Sequence, residues 1–230
     1  AGNGLRYGID NFYETSQHHQ SFRFHQQPDG HLEVETRMVP RHGQWGVARD
    51  DLGRLYYSPN SDPLIGDSFP KHYSARNPEA GGISGVPRRV ATDRSTWPIR
   101  INPGVNRGYQ KSTLRKDGTL RTFTAACGPE IFRGTLVEGA DGDAFVCETA
   151  GNLVKRYDLQ DQNGVPKATP VHDQSEFLAS TDERFRPVNL LTGPDGGLYI
   201  VDFARGIVQH RIYMTSWLRK QVEERGLAAP

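Results

Sequence analysis

Two cysteines in 230 residues exclude a small scaffold held by a disulfide framework and leave at most one intramolecular bridge. Long hydrophobic runs are missing as well. No stretch approaches the roughly eighteen apolar residues needed to cross a bilayer as a helix, and none reads as the apolar part of a secretory leader. Charge of one sign is not in excess, since 28 Lys and Arg stand against 27 Asp and Glu, a net +1. That balance removes the long-range field that steers nucleic acid or an anionic membrane to a surface. The run RRVATDR at 88–94 is too short to act as a nucleic-acid footprint. Walker, GxSxG, GxGxxG and HExxH patterns are all lacking, so P-loop, hydrolase-elbow, dinucleotide-fingerprint and zincin chemistries are excluded at the level of motif. The chain opens on Ala-Gly-Asn rather than Met, which reads as a processed chain or an excised fragment whose leader or anchor lies elsewhere.

What the chain has in quantity is turn formers. Gly (25) and Pro (15) favour many short strands over long helices, and 35% apolar content is enough for a sizeable core. The organising signal is a repeated unit of a short apolar strand, an Asp/Gly turn and a second strand rich in aromatics. In PVNLLTGPDGGLYIVDFARGIVQHRI, strands are predicted at 188–193, 197–203 and 207–212, with the turn at Pro194-Asp195-Gly196. Further copies turn at Asp50-Asp51-Leu52-Gly53 and at Asp141-Gly142. The opening segment predicts four strands, near 4–8, 11–16, 21–26 and 31–36. Equivalent turn residues Asp10, Asp51, Asp141 and Asp195 lie 41, 90 and 54 apart, and 90 is about twice a blade of roughly 40–50 residues.

The expected architecture is therefore all-β, a partial β-propeller of three to four four-stranded blades over residues 1–213. A long irregular insertion occupies about 62–120, with a degenerate blade expected at 95–123. Residues 214–230 form a C-terminal helix leading out of the propeller. Thr215 or Ser216 caps it, Trp217, Leu218 and Val222 make its apolar stripe, and Gly226 ends it. Three or four blades do not close a ring, so upstream blades are expected as partners.

The stretches GQWGVARDDLGRLYYSPNS, ARNPEA, ACGPEIFRGTL, DAFVCETAGNLVKR and FLASTDERFRPVNLLTGPDGGLYIVDFARGIVQH carry a resemblance. In order and separation they resemble the propeller of the membrane-bound dehydrogenases of Planctomycetes- and Verrucomicrobia-type bacteria, the PVC-type haem-binding CxxCH proteins. That propeller is similar to those of quinoprotein glucose and sorbosone dehydrogenases. The resemblance implies a periplasmic, extracellular or membrane-associated sugar or alcohol dehydrogenase using pyrroloquinoline quinone (PQQ) with calcium. Electrons would pass to a c-type cytochrome domain. No CxxCH motif occurs in these residues, so haem c belongs to a separate domain. The alternative is a non-catalytic, NHL-like propeller that binds carbohydrate or a protein chain. No nucleic-acid partner is expected.

In a propeller, ligands bind at the mouth of the central channel, on the loops leading into each innermost strand. Asn3-Gly4, the loop Arg41-His42-Gly43-Gln44 and the segment Phe185-Arg186-Pro187-Val188-Asn189 would reach it. By the resemblance, Arg186 is the cofactor contact, with Asn189, Gln44 and Arg41 beside it; the plainer alternative is that Arg186 bridges neighbouring blades. His42 is the candidate general base. Asn60, Asp202, Arg205 and His210 are rim or substrate candidates, and Glu148 sits at a similar strand end; the simpler reading of Asn60, Asp202 and Glu148 is that they tie down turns. His18 and His19 fall in a solvent-facing turn. No metal site is expected, and Asp141 and Asp143 belong to a hairpin turn rather than to a calcium loop. Cys127 and Cys147 are placed opposite each other by the hairpin of 128–133 onto 143–149, so they form either a disulfide or a pair of small buried hydrophobes.

Overall fold

A computed structural model describes residues 3–77, 79, 83 and 85–227. In the ARNPEA stretch, Pro78 and Ala80 lie outside the described residues, as do the last three residues of the C-terminal segment. The molecule is mostly β, built from antiparallel sheets that follow one another along the chain.

Blade 1 comprises β1 (Asn3–Tyr7), β2 (Tyr13–Ser16), β3 (Gln20–Gln26) and β4 (Leu32–Met38), paired in sequence order as the four-strand repeat predicts. Blade 2 comprises β5 (Val47–Arg49), β6 (Leu55–Tyr57), β7 (Ile65–Gly66) and β8 (Arg88–Arg89), with the short helix α1 (Lys71–Ala75) between β7 and β8. Blade 3 comprises β9 (Ala126–Ile131), β10 (Ala144–Glu148), β11 (Leu153–Gln162) and β12 (Val165–Pro170), with β13 (Leu178–Ala179) added against β11. Blade 4 is a hairpin of β14 (Pro187–Thr192) and β15 (Leu198–Asp202). The turns expected from Asp/Gly chemistry are present. In blade 2, Asp50 Oδ1 accepts from the amides of Leu52 (3.1 Å) and Arg54 (2.9 Å), and Gly53 takes the positive φ that the turn requires.

The first strand of each blade is innermost. β5 lies beside β1, β9 beside β5, and β14 beside β9. Between blades 2 and 3 the core holds Tyr56, Leu64, Phe123, Ile131, Val146 and Tyr157, all buried. Between blades 3 and 4 it holds Phe132, Phe145, Val154 and Leu190, packed by Leu198 and Ile200. Burying each such aromatic or aliphatic side chain contributes roughly 1.5–3 kcal/mol.

Three expectations are corrected. The region 62–120 is not one insertion, because Ile65–Gly66 and Arg88–Arg89 complete blade 2 within it. Residues 95–123 form no blade among the described residues; Ser95–Thr122 and Leu114–Leu120 are isolated bridges, and the segment folds around buried Val105, Leu120 and Phe123. The third strand expected at 207–212 does not form. The backbone carbonyls of Arg205 and Gly206 are bound by Arg186, which turns the chain away from β15, and Arg211–Tyr213 makes a single 3₁₀ turn. The helix α2 (Ser216–Arg225) has the expected cap, with Thr215 Oγ1 accepting from the Leu218 amide and Gly226 left-handed at the end. It does not stand free of the body. Asn106 in the 95–123 segment donates to Tyr213 O and accepts from the Thr215 amide, Leu218 is buried, and the Trp217 ring lies over Gly108.

Candidate functional site

Antiparallel pairing brings the start of each innermost strand and the end of the second strand to the same end of every blade. At that mouth the innermost strands approach within backbone contact. A Cβ on Gly4 would lie 2.8 Å from Gly46 Cα, one on Gly46 3.0 Å from Gly128 Cα, and one on Gly128 2.5 Å from Asn189 Cα. Gly4, Gly46 and Gly128 all have positive φ. They are equivalent positions in successive blades, read in the sequence as NGL, WGV and CGP, with VNL as the fourth. Glycine is needed there twice over, for the backbone conformation and for the close approach.

Hydroxyl side chains at the ends of second strands fasten one blade to the next. Ser16 Oγ donates to Gln44 O (3.1 Å) in the loop before β5, and Thr149 Oγ1 donates to Pro187 O (2.7 Å) at the first residue of β14. On the axis, Arg6 of β1 donates to Val47 O (3.0 Å) and Leu190 O (3.1 Å) and pairs with Glu130, whose other oxygen accepts from the Thr192 amide (3.0 Å) and hydroxyl (2.9 Å). One guanidinium therefore links the innermost strands of all four blades.

Arg186 is buried, at 2% exposure. Its guanidinium donates to four backbone carbonyls: Arg205 (2.9 Å), Gly206 (2.6 Å), Thr149 (3.1 Å) and Ala150 (3.5 Å). Burial lowers its pKa to about 10, opposed by the nearby Glu183 carboxylate, so it stays charged near neutral pH. In place of the expected cofactor contact, the guanidinium clamps blade 3 to blade 4. Asp202 belongs to the same clamp, accepting from the amides of Arg186 and Ala204, both at 2.8 Å. Glu148 also holds backbone, accepting from the amides of Thr124, Ala125 (both 2.8 Å) and Ala150 (3.0 Å). Burial pushes its pKa up to about 7 against those hydrogen bonds.

His42 is buried at 4% exposure and is not presented at the mouth. Its Nε2 lies 3.3 Å from Asp67 Oδ2, in a cavity of about 20 Å³ lined also by Glu14, Arg49, Lys71 and His72, room for about one water molecule. Tyr57 OH donates to Asp67 Oδ1 (3.0 Å) and receives Lys71 Nζ (2.7 Å). Burial lowers the Lys71 pKa, offset by Asp67, and raises that of Tyr57. This polar knot lies between blades 1 and 2.

The remaining candidates are dispersed. Arg41 is exposed, with Nε 2.9 Å from His19 Nε2; Arg205 is exposed, its guanidinium over the Phe203 ring; His210 is exposed against Tyr213. Gln44, Asn60 and Asn189 do lie at the mouth, with half-buried Trp45 among them. The Trp45 indole N–H donates to Asn60 Oδ1, and Gln44 O accepts from Asn3 Nδ2 (3.0 Å). Cys127 and Cys147 face each other across β9 and β10 as expected, but as free thiols. The disulfide is thereby corrected. Cys127 Sγ lies 3.1 Å from Thr149 Oγ1 and 3.8 Å from Pro187 O, so it is turned into the blade 3–4 fastening, while Cys147 packs in the apolar core.

Reading the sequence for catalytic motifs missed Arg6, Glu130 and Trp45. Aligning the repeats on their mouth glycines would have found Trp45, which directly precedes one of them.

For the PQQ and calcium implied by the resemblance, the residues at hand do not fit. The one arginine aligned to the quinone is 2% exposed and gives four of its five N–H donors to backbone carbonyls. Among the described residues no three His, Cys, Asp or Glu side chains gather as metal ligands.

Four sheets in sequence, with their first strands converging on one axis, make this a propeller-like β protein. Family comparison then places it: the chain belongs to the family described as Domain of unknown function (DUF7133), which matches residues 2–228. No curated protein matches it. Among solved structures it is similar to selenomethionine-substituted virginiamycin B lyase from Staphylococcus aureus, at 12% identity and a TM-score of 0.41. The match covers 89% of this chain and 50% of that one, so the chain spans about half the length of the structure it matches.

Proposed function

We propose that this chain is a non-catalytic, propeller-like binding module that takes a neutral polyhydroxylated ligand, a carbohydrate, at its mouth. The observation that carries the reading is what each polar group does. Arg186, Glu148 and Asp202 are occupied by backbone, and His42 is enclosed with Asp67 between blades 1 and 2. Neutral amides stand at strand ends and loops on this side of the blades, with Asn60 and Asn189 exposed and Gln44 half-buried, and Asn60 accepts from the Trp45 indole N–H. Amides donate and accept to hydroxyl groups without the desolvation cost of an ion, and an indole face held by its N–H gives a rigid apolar platform for a sugar ring. The Gln44 side-chain amide makes no hydrogen bond among the described residues. The redox reading rests on the sequence resemblance, and nothing in the mouth favours it.

The test is calorimetric titration of the chain with a panel of neutral oligosaccharides, repeated on Trp45→Ala. A stacking contact of about 1–1.5 kcal/mol makes the expected loss roughly tenfold in Kd. Failure of every oligosaccharide to bind, together with saturable binding of PQQ in the presence of calcium, would sink the proposal and restore the dehydrogenase reading.

A further inference from the structure

The near-neutral total conceals a separation of charge. Residues 95–123 and 203–219 carry nine Lys and Arg against one acid, Asp117, whereas the other 184 residues carry 19 against 26. The fold brings these two segments together. Asn106 binds Tyr213 O (3.0 Å) and the Thr215 amide (2.9 Å), the Trp217 ring lies over Gly108, and a Cβ on Gly104 would lie 3.0 Å from the Arg186 guanidinium and 3.5 Å from Gly206 O. Both segments are anchored at the mouth end of the blades. Phe203 follows the last residue of β15, and Asn102 Nδ2 donates to Asn152 Oδ1 (3.1 Å) just beyond β10. Ala126, the first residue of β9, donates its amide to Asn60 O (2.9 Å). Three of the nine cations are engaged: Arg100 with Glu183, Arg115 with Thr96 O, and Arg205 over the Phe203 ring. The other six, Arg107, Lys111, Lys116, Arg121, Arg211 and Arg219, are exposed, and their side chains have no hydrogen-bond or carboxylate partner among the described residues. Like charges gathered on one face repel one another, a cost that an anion laid across them removes.

We infer that the carbohydrate taken at the mouth belongs to an acidic polysaccharide, whose carboxylate-bearing units lie across the basic face formed by residues 95–123 and 203–219. The inference rests on the mouth reading above for the neutral units and on charge complementarity for the acidic ones. Four of the six free cations are arginines, whose planar guanidinium pairs with a carboxylate through two parallel hydrogen bonds. The cations are spread along two neighbouring segments, an arrangement that suits a polymer with a charge at each repeat rather than one small anion. Exposed rings are interspersed among them: Tyr109, Phe203 and Tyr213 are 56, 49 and 64% exposed. Such rings offer apolar platforms to sugar rings, and the tyrosine hydroxyls add a polar handle. Neutral amides and Trp45 at the mouth, with arginines and lysines beside it, together fit a chain in which neutral and acidic sugars both occur.

The experiment titrates the 230-residue chain calorimetrically with polygalacturonate and, as the uncharged comparison, with dextran, at low and at high salt. Polygalacturonate is expected to bind about tenfold or more tighter than dextran at low salt, and to lose about tenfold at high salt, since exposed charges are screened. Lys111→Glu and Arg211→Glu, one on each segment, are each expected to weaken polygalacturonate several-fold. Lys167→Glu makes the same change of charge on exposed β12, outside both segments, and is expected to leave binding as it was. All three side chains are exposed, so circular dichroism of each variant should match the wild type. Equal affinity for the two polymers, or an equal loss on Lys167→Glu, would overturn the proposal. So would tighter binding of anionic phospholipid vesicles or of a single-stranded oligonucleotide, which would assign the basic face to a lipid surface or to nucleic acid. Trp45→Ala separates this inference from the mouth reading. Polygalacturonate binding that is weakened by Lys111→Glu and untouched by Trp45→Ala upholds the basic face and removes the mouth. A neutral oligosaccharide that binds through Trp45, with no gain from acidic units, upholds the mouth and overturns the basic face.

Discussion

Replacing Arg186 by alanine separates a clamp from a ligand contact. The side chain is 2% exposed and donates to four carbonyl oxygens, and those of Thr149 and Gly206 belong to buried residues. Hydrogen bonds to a charged donor contribute about 1.5–3 kcal/mol each, and an abandoned buried carbonyl costs about 1–3 kcal/mol. Two such losses, with some relief from water reaching the exposed Arg205 carbonyl, come to about 3–5 kcal/mol. For a chain of this length that lowers Tm by about 6–20 °C. Because the clamp joins blade 4 to blade 3, the loss is expected to appear first as faster amide exchange in Pro187–Thr192 and Leu198–Asp202. Arg186→Lys should recover only part of the stability, since one ammonium cannot reach carbonyls spread over Thr149–Ala150 and Arg205–Gly206. Urea unfolding with hydrogen exchange is the assay. A variant within about 1 kcal/mol of the wild type, with exchange in blade 4 unchanged, would refute the clamp and leave the guanidinium available to a ligand.

Gly128→Ala is expected to cost about 2–4 kcal/mol, from a left-handed φ and a Cβ 2.5 Å from Asn189 Cα, whereas Gly142→Ala, with the same sign of φ but open space around it, should cost about 1–2 kcal/mol; comparative urea melts decide. Glu176, buried with its pKa raised to about 7 by desolvation, binds its proton more tightly folded than unfolded. Its contribution to stability is therefore full at acidic pH and lost as pH rises from about 4.5 to about 7. Glu176→Gln should remove that part of the slope in denaturation midpoints across this window, leaving the share due to Glu148, and an unchanged slope would contradict the assignment. In reduced protein, Cys127, half-buried, should react with a thiol reagent in the native state, and Cys147, buried with its thiol pKa raised, only after unfolding; equal native reactivity would show the strand register to be wrong.

Much of the fold was legible because it is local. Alternation in β1–β4 and the Asp/Gly turns at Asp50, Gly142 and Gly196 are set within a few residues, and antiparallel hairpins follow from them. The two-residue strands β7 and β8 were not legible, since pieces so short carry no periodicity and exist only because blade 2 offers an edge. The strand expected at 207–212 had the right composition but lost its backbone carbonyls to Arg186 from a distant part of the chain.

The candidate site shows the same division. Place in the repeat is enough to put Gln44, Asn60 and Asn189 near the same end of their blades, because strand direction alone determines which end of a blade a loop occupies. Whether a polar side chain there faces ligand or backbone depends on what lies opposite it, and that is a matter of long-range packing. Arg186 found four carbonyls, His42 found Asp67, and Arg6 reached across the axis to Leu190, 184 residues along the chain. Sequence determined the blades, because hydrogen-bonded hairpins need only neighbours. Tertiary structure decided which charges are structural, because a buried ion settles on whichever partners remove its desolvation cost.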